Sequence, residues 1–156
     1  MKISLIQIGG TVDKHLKAGI EEYVKRLKYY VSFDILEIKD LKNASKLSRD
    51  ELKSREGKEI LSKLESADFV VVLDEKGKQQ TSEEFAQFIQ NKMNQSCKRM
   101  VFVIGGAFGF SQEVYVRANQ KLGLSKMTFS HRMIRLLFVE QLYRAHTILR
   151  NEPYHH

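Results

Sequence analysis

Three glycines and a group of cations are the residues of this chain whose types and spacing can do chemistry. Gly105, Gly106 and Gly109 follow directly on the apolar stretch Val101 to Ile104. A strand that runs into paired glycines offers bare backbone to a ligand, although the same glycines also serve a tight entry into a helix. A second loop, Leu124 to Ser130, precedes a long helical segment that opens with His131, Arg132 and Arg135 and carries Glu140 and Arg144 further on. Residues 97–156 hold nine Lys or Arg against three Glu, a net of +6, whereas residues 1–96 hold seventeen against sixteen acids, a net of +1. Nearly all of the excess charge therefore lies beside the glycine loop. A pocket flanked by cations suits a large anionic substrate, because a concentrated patch releases more condensed counterions from a polyanion than scattered charge does. His131 can contact an anion beside its loop or simply satisfy that loop's own backbone. Arg144 can pair with Glu140 one helical turn away, worth roughly 0.2–0.5 kcal/mol if exposed, or reach into a pocket and hold a phosphate or a base.

Other chemistries find little support. The glycine loop lacks the G-x-G-x-x-G spacing of a dinucleotide site, and neither a G-x-x-x-x-G-K-[ST] phosphate loop nor a G-x-S-x-G nucleophile elbow occurs. The five histidines, His15, His131, His146, His155 and His156, make no ligand spacing with carboxylates or thiols, so no metal site is expected. Cys97 stands alone in a polar setting and reads as a bystander. No apolar run approaches the length of a membrane span, and MKISLIQIGG lacks a signal-peptide pattern, which points to the cytoplasm.

The elements that must position these residues alternate between strand and helix. Lys2 to Ile8 is an apolar strand ended by Gly9-Gly10, and Asp13 to Tyr30 is a helix whose Leu16, Ile20, Tyr23, Val24 and Leu27 share one face. Phe33 to Ile38 is a strand, Asp40 to Arg49 a polar connection, and Asp50 to Glu65 a helix weakened by Gly57. Phe69 to Leu73 is a β-branched run typical of a central parallel strand, after which Asp74 to Lys78 is expected to turn away. Thr81 with Glu84 forms a capping-box pattern, with Phe85, Phe88, Ile89 and Met93 on the buried face. Met100 to Ile104 is the next strand, Ser111 is placed to cap a short helix, Met127 to Phe129 is expected to be a strand, and His131 to Arg150 is the last helix. That helix is apolar on more than one side, so it lies either at the centre of the protomer or against a second copy. The composition, 42% hydrophobic and 29% charged, and the length of 156 residues fit one domain spanning 1–156. Alternation predicts an α/β fold, a parallel sheet with helices on both faces and its ligand at the carboxyl ends of the strands.

At these residues the sequence resembles a known family. Phe102-Val103-Ile104-Gly105-Gly106 with Gly109, Leu124 to Phe129 with His131, Leu142-Tyr143-Arg144-Ala145, and Pro153-Tyr154-His155 are similar to the RlmH family of SPOUT-class methyltransferases, as are Leu73-Asp74 and Gly77-Lys78. The match spans essentially the whole chain. Ser130 stands where that family commonly has proline, and His156 where an arginine often ends the tail. The resemblance implies a SPOUT fold with a carboxyl-terminal trefoil knot, an obligate homodimer, and transfer of a methyl group from S-adenosylmethionine to N3 of a pseudouridine in 23S ribosomal RNA of the assembled ribosome. It implies that Leu73, Gly105, Leu124, Ser125, Lys126, Met127, Thr128 and Phe129 hold the cofactor. Arg144, Tyr154 and His155 become the candidates for catalysis, and His131, Arg132, Arg135 and His156 for contact with RNA. A binding-only RNA module and a small-molecule enzyme on an ordinary doubly wound sheet are the competing functions.

Overall fold

The computed structural model describes residues 1–155. Five strands, β1 (Lys2–Ile8), β2 (Ser32–Ile38), β3 (Phe69–Gln79), β4 (Arg99–Ile104) and β5 (Gln120–Gly123), form one sheet in the order β2-β1-β4-β3-β5. Every pairing in it is parallel. Five α-helices connect them: α1 (Lys14–Leu27), α2 (Arg49–Ser62), α3 (Ser82–Asn94), α4 (Gln112–Arg117) and α5 (Met133–Leu149).

Strand alternation sorts the core into two layers. Ile3, Leu5, Phe33, Val71, Met100, Phe102 and Ile104 face α1, α3 and α5, packing against Ile20, Leu27, Phe85, Ile89, Phe138 and Leu142. Ile6, Ile8, Ile38, Val70, Val72, Val101 and Val103 face the other way, against Ile60 of α2 and Phe110 and Val114 at α4. The strands are apolar on both faces because both are covered, as a parallel sheet requires. The two-sided apolarity of α5 has the same cause, since α1 and α3 flank it while the sheet lies beneath.

Helix starts follow the expected chemistry with one exception. Thr81 and Glu84 bond reciprocally to each other's backbone, as do Ser48 and Glu51, so both α3 and α2 begin with complete capping boxes. Ser111 holds the N-cap position of α4 but makes no side-chain cap bond. Its hydroxyl sits over Gly57 instead, where a Cβ would come within 2.4 Å of Oγ, so the glycine expected merely to weaken α2 lets α2 and α4 approach.

Two expectations are corrected. The segment Met127 to Phe129 is not a strand; the fifth strand is Gln120–Gly123, paired with β3, and Met127 to Phe129 remain exposed in the loop beyond it. Asp74 to Lys78 does not leave the sheet either. β3 runs on to Gln79 through an irregularity between Leu73 and Lys78, both of which register with Leu122. Gly77 allows this detour, because a Cβ there would lie 2.6 Å from the Leu122 backbone.

Candidate active site

Three stretches at the carboxyl ends of β3, β4 and β5 enclose a cavity of about 850 Å³. Its lining includes Leu73, Asp74 and Glu75 from β3, Gly105 to Phe110 after β4, and Leu124, Ser125, Met127, Thr128 and Phe129 after β5. Parallel strands put their loops on one edge, so residues fifty positions apart meet there. The loops are tied to one another. Thr128 Oγ1 donates to Glu75 Oε2 at 2.8 Å, and Met127 N donates to Ser125 Oγ at 2.9 Å. Of the eight residues expected to hold a cofactor, seven line this cavity; Lys126 is exposed and outside the lining.

The cavity has room for a ligand of nucleoside size and is lined by apolar and charged side chains together. Its floor at Gly105 is buried, and a Cβ there would press on Phe110 and Gly109 at 3.1 and 3.2 Å. Ile104, Leu122, Leu124 and Ile134 supply apolar walls, and the loop backbones supply donors and acceptors. These features suit a ligand that needs apolar contact on its faces and hydrogen bonds on its edge.

Several lining residues carried no motif. Arg49 and Lys53 bring cations from α2, and the Arg49 guanidinium lies over the half-exposed Phe108 ring at 4.9 Å. Tyr115 of α4 donates its hydroxyl to Asp74, and burial, reinforced by that carboxylate, holds the phenol protonated well above its usual range. Position in the sheet, not spacing in the sequence, brings these groups in. His131, expected at the RNA, lines the same cavity and is half-buried. Burial, with Arg135 and Arg132 adding to it and Asp40 opposing, lowers its proton affinity and favours the neutral imidazole. Ser130 receives the Met133 N–H on its Oγ at 3.2 Å, so the serine acts as a cap where α5 begins.

Arg132 is exposed and remains available to RNA, but Arg135 is a correction. Only 1% exposed, Arg135 turns inward, donating Nη1 to Thr11 Oγ1 at 3.1 Å and Nη2 to the Ile8 carbonyl at the end of β1. It fastens the start of α5 to the sheet instead of meeting a phosphate. His156 lies outside the described residues.

Arg144, Tyr154 and His155 come together, but at the opposite end of α5 from the cavity. Arg144 donates Nε and Nη2 to Glu140 Oε1 at 3.1 and 2.7 Å and lies over the Tyr154 ring at 4.8 Å. Tyr154 donates its hydroxyl to the same Glu140 oxygen at 3.0 Å and shares a 3.1 Å hydrogen bond with Tyr23 of α1. Its ring stands edge-on to Tyr143, 4.8 Å between centroids. Burial first, then these bonds, raise its affinity for the phenolic proton. His155 Nε2 meets Glu83 Oε1 of α3 at 2.7 Å. Ile134, in the cavity wall, and Arg144 are ten residues apart on one straight helix, about 15 Å along its axis. One protomer thus carries both groups of site residues without joining them.

The sheet is all-parallel α/β, with a glycine-floored cavity at its strand ends, and the chain belongs to the SPOUT methyltransferase family, whose model, described as "Predicted SPOUT methyltransferase", matches residues 1–155. Within it, the RlmH branch is the one its motifs resemble and its relatives share. The chain is 56% identical to the ribosomal RNA large subunit methyltransferase H of Christiangramia forsetii, 52% to that of Bacteroides thetaiotaomicron and 53% to that of Flavobacterium johnsoniae. Each alignment covers 100% of this chain and 99% of the relative. Among the described residues no three His, Cys, Asp or Glu stand together as a metal site, and no helix is long and apolar enough to cross a membrane.

Proposed function

We propose that this chain, a single domain over 1–156, is a cytoplasmic, S-adenosylmethionine-dependent methyltransferase that acts as a homodimer on N3 of a pseudouridine in large-subunit ribosomal RNA. The observation that carries the reading is identity above 50% along the whole chain to proteins named for methylation of large-subunit ribosomal RNA. The seven cofactor candidates lining one cavity support it, and the knotted crossover that the family implies would pass between the β4 and β5 loops. When bound, S-adenosylmethionine supplies an electrophilic methyl group.

The protein's own residues then have three tasks. Gly105 and the Leu124 to Phe129 loop hold and desolvate the donor's site, so that the acceptor nitrogen can be aligned with it; much of the rate gain in such a reaction comes from that alignment. N3 must also lose its proton, leaving negative charge on the ring. The Arg144 guanidinium, kept cationic by Glu140, is suited to stabilise that charge, and Tyr154 and His155 to orient the base. Arg132 and Lys126, both exposed, offer contacts to phosphate. Because Arg144 stands about 15 Å along α5 from Ile134 in the cavity wall, and Tyr154 packs on Arg144, the tail of one protomer serves the cavity of its partner. Met127 and Phe129 in the cavity lining, 75% and 40% exposed, provide apolar surface there for the second copy.

Incubating the protein with methyl-labelled cofactor and intact ribosomes or isolated large subunits tests the reading. Label should enter large-subunit ribosomal RNA, and RNA carrying uridine in place of the pseudouridine should accept less. Absence of label, or no saturable cofactor binding by calorimetry, would remove the proposal.

A further inference from the structure

A second groove, of about 410 Å³, lies outside the cavity described above, between the end of β3, the start of β5 and the exposed face of α3. Its character is unlike that of the cofactor cavity. Gln80, Gln87, Asn91 and Gln120 give it four primary amides, Phe88 gives it one aromatic face, and Lys78 gives it a cation. Glu84 is the single carboxylate in the lining, and its Oε2 is already engaged by the Thr81 N–H at 2.8 Å.

The amides leave hydrogen-bonding capacity unused. Gln87 Nε2 donates to Asn91 Oδ1 at 2.9 Å, one turn along α3, which leaves the Gln87 carbonyl as an acceptor and the Asn91 amino group as a donor. A nucleobase edge presents groups of both kinds. Phe88 is half-buried and held by Phe85 and Phe69, with centroids 6.4 and 6.2 Å away, so its ring is anchored for stacking. Lys78 is exposed and makes no ion pair among the described residues.

The groove is also in the right place. Glu75 and Lys76 line the cofactor cavity and Lys78 and Gln80 line the groove, so β3 runs from one to the other. Only Gly77 separates Lys76 in the cavity lining from Lys78 in the groove lining, so the two sites adjoin. We propose that this groove binds one unpaired nucleotide of the substrate RNA close to the modified one, the amides reading its base edge, Phe88 stacking on its face and Lys78 meeting its phosphate. Recognition of splayed single-stranded bases by stacking and edge hydrogen bonds is the usual way protein reads RNA sequence. The assignment rests on the RNA substrate proposed above.

The test is the double variant Gln87→Ala with Asn91→Ala, both on the exposed face of α3, studied as the full-length protein. Binding to isolated large subunits is measured by filter retention, alongside the ribosome KM of methyl transfer, the cofactor affinity and the sedimentation coefficient. Losing an edge contact should weaken subunit binding and raise KM at least about fivefold, while cofactor affinity and oligomeric state stay as in the wild type. Lys78→Glu should act in the same direction and steepen with falling salt. Unchanged binding and KM would overturn the proposal. So would a variant that falls apart into protomers, since the groove would then be a subunit contact. A wild type that binds large subunits but transfers no methyl would refute the enzymatic reading and leave the groove to stand or fall on the binding comparison; a wild type that binds no subunits would refute both.

Discussion

The separation of the two groups of site residues makes a quantitative forecast for mixed dimers. Gly105→Leu forces a side chain into space where even a Cβ meets Phe110 and Gly109 at 3.1 and 3.2 Å, so it should abolish cofactor binding and leave the tail intact. Deletion of Tyr154 to His156 removes the tail and leaves the cavity intact. Each homodimer should be inactive. When the two are unfolded together in equal amounts and refolded, random pairing gives half heterodimers. In a heterodimer the tail of the Gly105→Leu chain reaches the intact cavity of the truncated chain, so one of the two sites is complete, and total turnover should return to about one quarter of the wild-type value per protomer. If the tail serves its own chain, the truncated subunit has no tail and the other no cofactor, and turnover stays at the background of the separate variants. The roughly 15 Å between Ile134 and Arg144 along α5 favours the first outcome. Steady-state methyl transfer to ribosomes, with heterodimer content measured by native mass spectrometry, reads the difference. A background-level result at half heterodimer would refute tail exchange between subunits.

Three further outcomes follow from individual side chains. His146 is 4% exposed with Nε2 unpaired among the described residues, and burial, then Arg150, lowers its pKa to about 4. The unfolded chain therefore binds the proton more readily, and stability should fall as pH drops from about 6.5 toward 4, by on the order of 3 kcal/mol; urea titrations of the wild type and His146→Leu should show the slope in the first and not in the second. Arg135→Ala strips the Ile8 carbonyl and Thr11 of their donors and should cost about 2–4 kcal/mol in urea unfolding, whereas a phosphate-contacting role would leave stability unmoved and weaken ribosome binding. Arg144→Lys keeps the charge but loses the two-point hold on Glu140 and the contact over Tyr154, so kcat should fall tenfold or more with cofactor affinity unchanged; equal loss in both would place Arg144 at the cofactor instead.

What could be read from the chain beforehand depended on whether local pattern and tertiary position agree. They agree in β1, where every residue after Lys2 is buried and the run from Lys2 to Ile8 is the strand itself. They disagree around β5. Gln120-Lys121-Leu122-Gly123 has one large apolar side chain, and it is the open edge of β3, not hydrophobicity, that recruits the segment. Met127 and Phe129 look like a strand because they are apolar, yet they are 75% and 40% exposed, their apolarity serving a ligand or a second copy and not the core. Arg135 misleads for the converse reason. A cation at a helix start beside a suspected anion site reads as a phosphate contact, and nothing local reveals that the carbonyl ending β1, more than a hundred residues earlier, lacks a partner. A motif in one sequence suggests which side chains act together. It does not record where they meet. On the reading proposed above, Gly105 and Arg144 serve one reaction without approaching each other in one chain, and a two-fold arrangement of identical chains would let each copy supply the part its partner's site lacks.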